Sequence, residues 1–355
     1  MQDMKIIFLG DIAFTGILST EPEKNSKRFG EVLPILEQAD MIFANLEVPV
    51  KVDNERNELK KRIHFSLPKP TEKLLKMLNI GCVSLANNHI FDCKLSGLKE
   101  TINLLDKLRI WHTGAGWKKE HTDPVIVELD DLKIGFIAYV DKSTNPKTET
   151  FSELFINYFD LEKVIEDVEA LKPKVDKIIC SIHWGIDYSH YPTEQQRLIA
   201  RELIDAGVNI VMGHHPHTLQ PYERYKKGYV FYSLGNLTFG DYVKAGRTNL
   251  HATYKKTKKG LITQYNDNSN TFSFISTCEK QGNFVLISNQ NYVSWNKKKW
   301  KTYSLARKFV IIQKLVIFKE KVLDIITEYF FGYYKNPVKQ IFQFSNIKKI
   351  GRLFK

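Results

Sequence analysis

Short apolar runs alternate with helix-like segments along the first 235 residues of the chain. The runs have the length of buried β-strands, and the segments between them repeat apolar residues every three or four positions, as amphipathic helices do. Strands are predicted near 6–9, 41–44, 81–85, 124–128, 133–140, 176–181, 208–212 and 229–234, and helices near 27–39, 74–78, 98–108, 161–171 and 193–206. This alternation indicates a mainly parallel sheet with helices covering its faces.

The pattern changes after residue 250. Between 250 and 293, short stretches rich in Thr, Phe, Ile and Val alternate with turn segments, which favours antiparallel strands that complete the fold. Residues 305–331 then show a long helical pattern with a broad apolar face, and an aromatic cluster stands at 329–334. We therefore predict an α/β domain at 1–293 and a basic amphipathic helical tail at 294–355.

The net charge of +12 is concentrated in this tail. Residues 297–355 carry 15 lysines or arginines and three acidic residues, whereas residues 1–296 balance at 37 basic and 37 acidic. Basic and aromatic residues around an apolar face suit an anionic membrane surface. The alternative is that the helix docks on its own domain or on a second subunit. Nucleic acid is a poor match, because no recognition module accompanies the charge.

The amino terminus and the cysteines bear on the compartment. The apolar run at 6–9 is too short for a signal-peptide core, and no stretch approaches the roughly 20 apolar residues of a spanning helix. The four cysteines show no paired spacing, which fits a reducing compartment. We expect a cytoplasmic protein, with peripheral contact at the inner face of the membrane through residues 300–355.

The segment Gly-His-His-Pro-His at 213–217 directly follows the apolar run 208–212. Pro216 cannot continue a strand ladder, so a loop is expected at the carboxyl end of this strand. In extended backbone, residues two apart face the same side, so His215 and His217 are expected to converge on one point. Histidines so placed commonly hold a transition metal; a histidine-rich surface turn is the alternative.

Four other predicted strands also end in polar side chains: Asp11, Glu47, Asn88 with His89, and His183. Singly, each suits a turn or a helix cap equally well. In a parallel sheet, however, such strand ends gather at one edge, where open α/β folds place their sites. Carboxylates, an amide oxygen and imidazoles together suit Mn, Fe or Zn better than Ca or Mg.

Taken in order, these motifs resemble a known family. They are Gly-Asp at 10–11, Asn-Leu-Glu at 45–47, Ala-Asn-Asn-His at 86–89 with Asp92, His-Trp-Gly at 183–185, Gly-His-His-Pro-His-Thr-Leu-Gln at 213–220 and Tyr-Ser-Leu-Gly-Asn at 232–236. The set is similar to the CapA family, a bacterial capsule or poly-γ-glutamate synthesis group within the calcineurin-like metallophosphoesterase superfamily. The resemblance covers about residues 4–240 and does not extend to the tail.

The resemblance implies a four-layer α/β/β/α sandwich with a site for two divalent metal ions, Mn, Fe or Zn. The implied ligands of the first ion are Asp11, Glu47 and His217, and those of the second are Glu47, Asn88, His183 and His215. In this arrangement Glu47 bridges the two ions. The resemblance also implies that His89 is the general acid beside the leaving group, with Asp92 orienting it.

The chain departs from the wider superfamily at residue 13. The superfamily pattern Asp-x-His would place a histidine there, whereas this chain has Ala13, so the first ion loses a ligand. His112 and His190 are spare histidines, but ordinary surface or core positions are the better interpretation of both.

Three functions are compatible with this set of residues. The first is a dinuclear metal-dependent hydrolase of phosphoester bonds in capsule or other extracellular polymer biosynthesis, since two cations activate water and neutralise phosphoryl oxygens. The second is an amide or γ-glutamyl bond hydrolase or transferase acting on a capsule polymer. The third is a non-catalytic accessory protein of polymer assembly or export, which the missing histidine at position 13 supports. The expected substrate is accordingly a phosphoester or an anionic polymer.

Overall fold

The computed structural model describes residues 4–60, 63–144, 146, 153–239, 242–244, 247–249, 257–280, 282–287 and 292–307. The strands are β1 (Lys5–Ala13), β2 (Met41–Leu46), β3 (Cys82–Ser84), β4 (Trp111–Thr113), β5 (Ala115–Gly116), β6 (Val125–Leu129), β7 (Leu132–Val140), β8 (Phe155–Ile156), β9 (Lys177–His183), β10 (Ile210–His214), β11 (Tyr222–Tyr225), β12 (Gly228–Phe231), β13 (Asn236–Phe239), β14 (Tyr242–Lys244), β15 (Arg247–Asn249), β16 (Lys259–Asn266), β17 (Thr271–Lys280) and β18 (Asn283–Leu286).

Helices connect most of the parallel strands. The α-helices are α1 (Ile17–Thr20), α2 (Asn25–Arg28), α3 (Leu33–Leu36), α4 (Pro68–Met77), α5 (Lys94–Leu108), α6 (Leu161–Leu171), α7 (Glu194–Ala206) and α8 (Tyr292–Arg307). Short 3₁₀ helices lie at Pro22–Lys24, Lys119–Thr122 and Lys142–Thr144. Helix α7 begins with a capping box, in which Thr193 Oγ1 accepts a hydrogen bond from the Gln196 backbone N–H and Gln196 Oε1 accepts one from the Thr193 backbone N–H.

Two large sheets form the centre of the molecule. The first runs in the order β18-β17-β16-β1-β2-β3-β4, with β13 also paired to β1, and the second runs β11-β12-β10-β9-β7-β6. Strands β1 to β4 are mutually parallel, as are β7, β9, β10 and β12. Antiparallel strands β16 to β18 extend the first sheet, which confirms the pattern predicted after residue 250.

The sheets pack face to face with helices outside both. Alternation along β1 shows this, because Ile6 and Phe8 lie in the core between the sheets while Ile7 and Leu9 face the helices. Helices α4 and α5 cover the outer face of the first sheet, and α6 and α7 cover that of the second. The order is helix, sheet, sheet, helix, so the predicted four-layer α/β/β/α architecture is confirmed.

Strand β1 was expected to end at Gly10 and Asp11. It instead continues to Ala13. From Asp11 onward it pairs with β13, with a register shift between Asp11 and Ile12. A Cβ added to Gly10 would lie 1.9 Å from the Gly235 carbonyl oxygen, so glycine is required for this close approach. The extension buries Asp11 inside the sheet rather than leaving it in a turn.

The helix predicted over 27–39 is also wrong. Two one-turn helices, α2 and α3, take its place, and residues 29–32 form turns between them. Pro34 stands in the first turn of α3, where a proline is tolerated because its missing N–H would have no helical partner there. The chain therefore restarts a helix at this point instead of continuing one.

Helix α8 docks on the α/β domain. The indole Nε1 of Trp300 donates to the Tyr222 carbonyl at 2.7 Å, and the Tyr292 hydroxyl donates to the Gln220 carbonyl at 2.8 Å. Asn296 bonds both the amide and the carbonyl of Tyr222. The aromatic side of α8 is thus occupied by its own domain.

The predicted division of the chain at residues 293 and 294 falls inside α8 and stays a prediction. Of the predicted helix at 305–331, residues 308–331 lie outside the described residues, so membrane contact through 300–355 also stays a prediction. The exposed side of α8 carries Lys297, Lys298 and Lys301. Among the described helices, none combines the length and apolar character that a membrane span requires.

Candidate metal centre

The residues predicted to hold metal meet at the carboxyl edge of both sheets. Asp11 lies on β1, Glu47 follows β2, and Asn88 follows β3. His183 is the last residue of β9, and the loop after β10 supplies His215 and His217. Parallel strands bring these sequence-distant positions to one edge, so the fold itself assembles the cluster.

The loop after β10 has an unusual backbone. His215 has φ 95° and His217 φ 55°, both in the left-handed region, so the extended backbone expected here is wrong. The two rings nevertheless converge, with centroids 6.2 Å apart. Each non-glycine residue in such a conformation costs about 1–3 kcal/mol, a cost typical of functional sites.

Asp11, Glu47 and His217 form what we call the first ligand group. One donor atom from each lies within 4.8 Å of the others, and all three side chains are buried. His217 Nε2 lies 3.5 Å from Glu47 Oε1, while His217 Nδ1 lies 3.0 Å from Asn236 Oδ1. Contact with Asn236 at Nδ1 turns Nε2 toward Glu47, which is how metal-ligating histidines are usually oriented.

Asn88, His183 and His215 form the second ligand group. His183 Nε2 lies 3.0 Å from Asn88 Oδ1 and 3.2 Å from His215 Nδ1. The same His183 nitrogen lies 3.9 Å from Glu47 Oε1. Glu47 therefore faces both groups with a single oxygen.

The carboxylate of Glu47 is the strongest sign that a cation belongs here. It is fully buried, and neither oxygen forms a hydrogen bond with any described residue. Burial, with the nearby charge of Asp11 adding to it, raises the pKa of Glu47 well above its usual value. A buried carboxylate without hydrogen bonds costs several kcal/mol, which a bound cation would offset. The residues present thus fit a divalent metal ion.

The buried histidines of the two ligand groups differ in the direction of their pKa shifts. Burial, reinforced by the neighbouring His215, lowers the pKa of His183 well below its usual value, and burial likewise lowers the pKa of His215. Burial would also lower the pKa of His217, but Glu47 and Asp11 outweigh it and raise that pKa to about 10. The second ligand group therefore holds neutral imidazoles, the form that binds metal.

A polar network lies beside the second ligand group. His89 Nδ1 lies 2.8 Å from Asp92 Oδ2, and Lys60 Nζ lies 2.6 Å from Asp92 Oδ1. Asp92 also accepts the His64 amide at 2.7 Å, and Lys60 donates to the Asn88 carbonyl. Burial, with His89 nearby, lowers the pKa of His64 to about 3, so that ring is neutral. The structure thus brings His89 and Asp92 together as predicted.

Residue 13 and the spare histidines contribute no ligand. Ala13 is buried and packs with Val48 and Phe239. His112 Nε2 pairs with Asp106 at 3.0 Å, and His190 Nδ1 lies 3.2 Å from the Leu219 carbonyl oxygen. The interpretation of these two histidines as ordinary positions agrees with those contacts.

Several residues of the site had no predicted role, although three of them stand inside the motifs. They are Asn45, His214, Asn236, Lys60 and Asp187. Asn45 and His214 contact Asp11, and Asp187 Oδ1 lies 3.1 Å from His215 Nε2. For Lys60 and Asp187 no spacing signal distinguishes them from surface charges.

Comparison with known proteins identifies relatives of the chain. The model of the family described as bacterial capsule synthesis protein PGA_cap matches residues 5–241. The capsule biosynthesis protein CapA of Bacillus anthracis is 30% identical over 67% of this chain and 57% of that protein. The PGA biosynthesis protein CapA of Bacillus subtilis is 30% identical over 71% of this chain and 68% of that protein.

More distant similarities extend the comparison. A Mycobacterium tuberculosis protein named "probable polyglutamine synthesis accessory protein" is 27% identical over 59% of this chain and 58% of its own length. Among solved structures, the NAD nucleotidase of Haemophilus influenzae is 12% identical, with a TM-score of 0.43, over 84% of this chain and 62% of that chain.

Proposed function

Because the chain belongs to the bacterial capsule synthesis protein family, we propose that it is a metal-dependent hydrolase of phosphoester bonds in the synthesis of capsule or another extracellular polymer. One observation carries the proposal most directly. The buried Glu47 carboxylate faces two groups of metal-competent side chains, and both of its oxygens lack hydrogen bonds among the described residues.

Two divalent cations would be held by these groups. Asp11, Glu47 and His217 would hold the first, and Glu47 with the second ligand group would hold the other. Cations bound there would supply Lewis acidity toward phosphoryl oxygens and a water nucleophile at neutral pH. Three protein ligands with an open position is the usual arrangement of a catalytic metal, so the proposal does not require a ligand at Ala13.

The protein's own side chains would supply a proton to the leaving oxygen. His89 is half-buried at the edge of the second ligand group, and its Nδ1 contacts Asp92. This contact fixes the ring orientation through Nδ1, so the imidazolium form of His89 would donate its proton from Nε2. Lys60 and the His64 amide hold Asp92 in turn. We propose that His89 is the general acid and that Asp92 orients it.

A second candidate reaction is hydrolysis or transfer at an amide or γ-glutamyl bond. The relative named as a PGA biosynthesis protein favours it, because the same cations could polarise a carbonyl oxygen. The relative named as an accessory protein favours a third possibility, a non-catalytic role in polymer assembly or export. That role predicts neither turnover nor a need for the general acid.

The test is a substrate panel with Mn²⁺-loaded protein. Phosphomonoesters, phosphodiesters and poly-γ-glutamate are compared, with His89→Ala, Asn88→Ala and the control His112→Ala, whose histidine pairs with Asp106. We expect phosphoester turnover that falls about 100-fold or more in the first two variants and is unchanged in the third. Turnover of poly-γ-glutamate alone would favour the amide reaction. Full activity in His89→Ala and Asn88→Ala would refute the assigned roles.

A further inference from the structure

We propose that His214 and Asn45 act as positioning residues for Asp11, and that they keep the first ligand group competent to hold a cation although residue 13 is alanine. The inference rests on the proposed metal-dependent function and deepens it. Neither residue is among the metal ligands or the acid pair, His89 with Asp92, that the resemblance to the CapA family implies.

The contacts of Asp11 are divided between its two oxygens. Asn45 Nδ2 donates to Oδ1 at 2.9 Å, and His214 Nδ1 lies 3.0 Å from the same oxygen. The His215 amide donates to Oδ2 at 3.3 Å, and His217 Nδ1 lies 3.5 Å from Oδ2. The contacts from Asn45 and His214 thus hold Oδ1 in place and fix the direction in which Oδ2 points.

His214 itself is not placed as a ligand. The group whose donor atoms lie within 4.8 Å of one another contains Asp11, Glu47 and His217 but not His214. His214 is buried, with 1% of its surface exposed, and its ring nitrogens form no hydrogen bond of good geometry with a described residue. Its Nδ1 nevertheless lies 3.0 Å from Asp11 Oδ1, so Asp11 is the polar group that the structure places against this buried ring. Its effect on a cation would therefore pass through Asp11.

Asn45 also connects Asp11 to the loop that carries the second ligand group's Asn88. Its Oδ1 accepts a hydrogen bond from Asn87 Nδ2 at 3.2 Å, and Asn87 Oδ1 accepts the His89 amide at 3.0 Å. Asn45 and Asn87 are both fully buried. One chain of side-chain contacts therefore joins Asp11 to the loop that carries Asn88 and His89, which sets the two ligand groups relative to each other.

This support matters more because residue 13 offers no ligand. Val48 and Phe239 fill the space around Ala13, so the first ligand group has three protein members. With one ligand fewer, affinity depends more strongly on the orientation of those that remain. Partners that orient a ligand typically contribute 10–100-fold in metal affinity.

The test exploits the geometry of histidine analogues. An asparagine amide nitrogen lies close to where Nδ1 of a histidine would be, whereas a glutamine amide nitrogen lies closer to Nε2. Because the contact to Asp11 is made by Nδ1, His214→Asn should retain it and His214→Gln should not. The full set is wild type, His214→Asn, His214→Gln, His214→Leu and Asn45→Leu.

Isothermal titration with Mn²⁺ alone reads out stoichiometry and affinity without any substrate. We expect wild type to bind about two ions and His214→Leu, His214→Gln and Asn45→Leu to bind one of them 10–100-fold more weakly. In the His214 variants the other ion should be unaffected, and His214→Asn should recover at least most of the lost affinity. The thermal unfolding of each metal-free variant is measured alongside the titration.

Three outcomes overturn the inference. Unchanged affinity in His214→Leu would show that the contact does not position Asp11. Equal behaviour of His214→Asn and His214→Gln, whether both bind normally, both bind weakly or both unfold, would show that Nδ1 is not the acting atom. A wild-type protein that binds no Mn²⁺ would overturn the proposed function as well, so failure of the inference alone is distinguishable from failure of both.

Discussion

Glu47 is the residue at which the two ligand groups meet. Its Oε1 lies 3.5 Å from His217 Nε2 and 3.9 Å from His183 Nε2, in a buried environment where Asp11 adds a second carboxylate. Without a cation, the site must limit this negative charge by retaining protons. The raised pKa values of Glu47 and His217, the latter to about 10, express that requirement.

Metal binding should therefore release protons. His217 keeps its proton below a pKa of about 10, and a cation at Nε2 must displace it, so the apparent Mn²⁺ affinity should rise with pH between about 6 and 8. His183 and His215, whose pKa values are lowered, are already neutral across this range and add little. Titration at pH 7 in two buffers of different ionisation enthalpy should show about one proton or more released per chain. Binding without proton release would contradict this account of the site.

Lys60 should contribute strongly to stability through Asp92. Only 9% of the Lys60 side chain and none of the Asp92 side chain is exposed. Lys60→Met leaves a buried carboxylate without its cation and should cost about 3–5 kcal/mol in the free energy of unfolding, measured with urea. Adding Asp92→Asn to Lys60→Met should recover part of this loss.

The matched control for Lys60 is the exposed pair of Lys76 with Glu72. Lys76 has 61% of its side chain exposed, so Lys76→Met should change stability by less than about 1 kcal/mol. Equal effects of Lys60→Met and Lys76→Met would mean that the pair with Asp92 is not formed in solution.

At the scale of elements, the order of strands and helices could largely be predicted from periodicity. Helix α6 has the predicted bounds, and the capping box places the start of α7. The extension of strand β1 and the break within the segment 27–39 could not be predicted from periodicity alone. The continuation of β1 past Gly10 depends on the approach of Gly235, and the restart at α3 depends on Pro34.

The same distinction applies to the candidate site. Asp11, Glu47 and His217 stand in motifs whose order along the chain carries the resemblance, so their proximity could be predicted. The contact of Lys60 with Asp92 could not, because Lys60 lies in a lysine-rich segment without periodicity. The left-handed backbone at His215 could not be predicted either, since glycine, asparagine and aspartate are the residues that most often signal that conformation.

Helix α8 should stabilise the domain on which it docks. Trp300 bonds the Tyr222 carbonyl and packs under the Arg197 guanidinium, 5.1 Å from the ring centroid. Trp300→Ala should lower the free energy of unfolding by about 2 kcal/mol, since the ring is half-buried, and Trp300→Phe by about 1 kcal/mol through loss of the hydrogen bond. The exposed Lys298→Ala should have no measurable effect. Equal thermal unfolding of Trp300→Ala and Lys298→Ala would show that the helix does not dock in solution.

At the scale of the whole molecule, both sheets end their parallel strands at one edge. The first sheet contributes Asp11, Glu47 and Asn88, and the second contributes His183 and the loop after β10. The site thus depends on the packing of one sheet on the other, through the core that includes Phe8 and Phe43. The excess positive charge lies apart from it in the sequence, at 297–355.

The most direct test of the account is the metal content of the intact chain. Wild type and Glu47→Ala are loaded with Mn²⁺, passed through gel filtration and measured by mass spectrometry, with His112→Ala as a control at a histidine that pairs with Asp106. The account predicts about two ions per chain in wild type and His112→Ala, and one or fewer in Glu47→Ala, because Glu47 faces both ligand groups. Wild-type protein that retains no ion, or Glu47→Ala that retains as many as wild type, would contradict it.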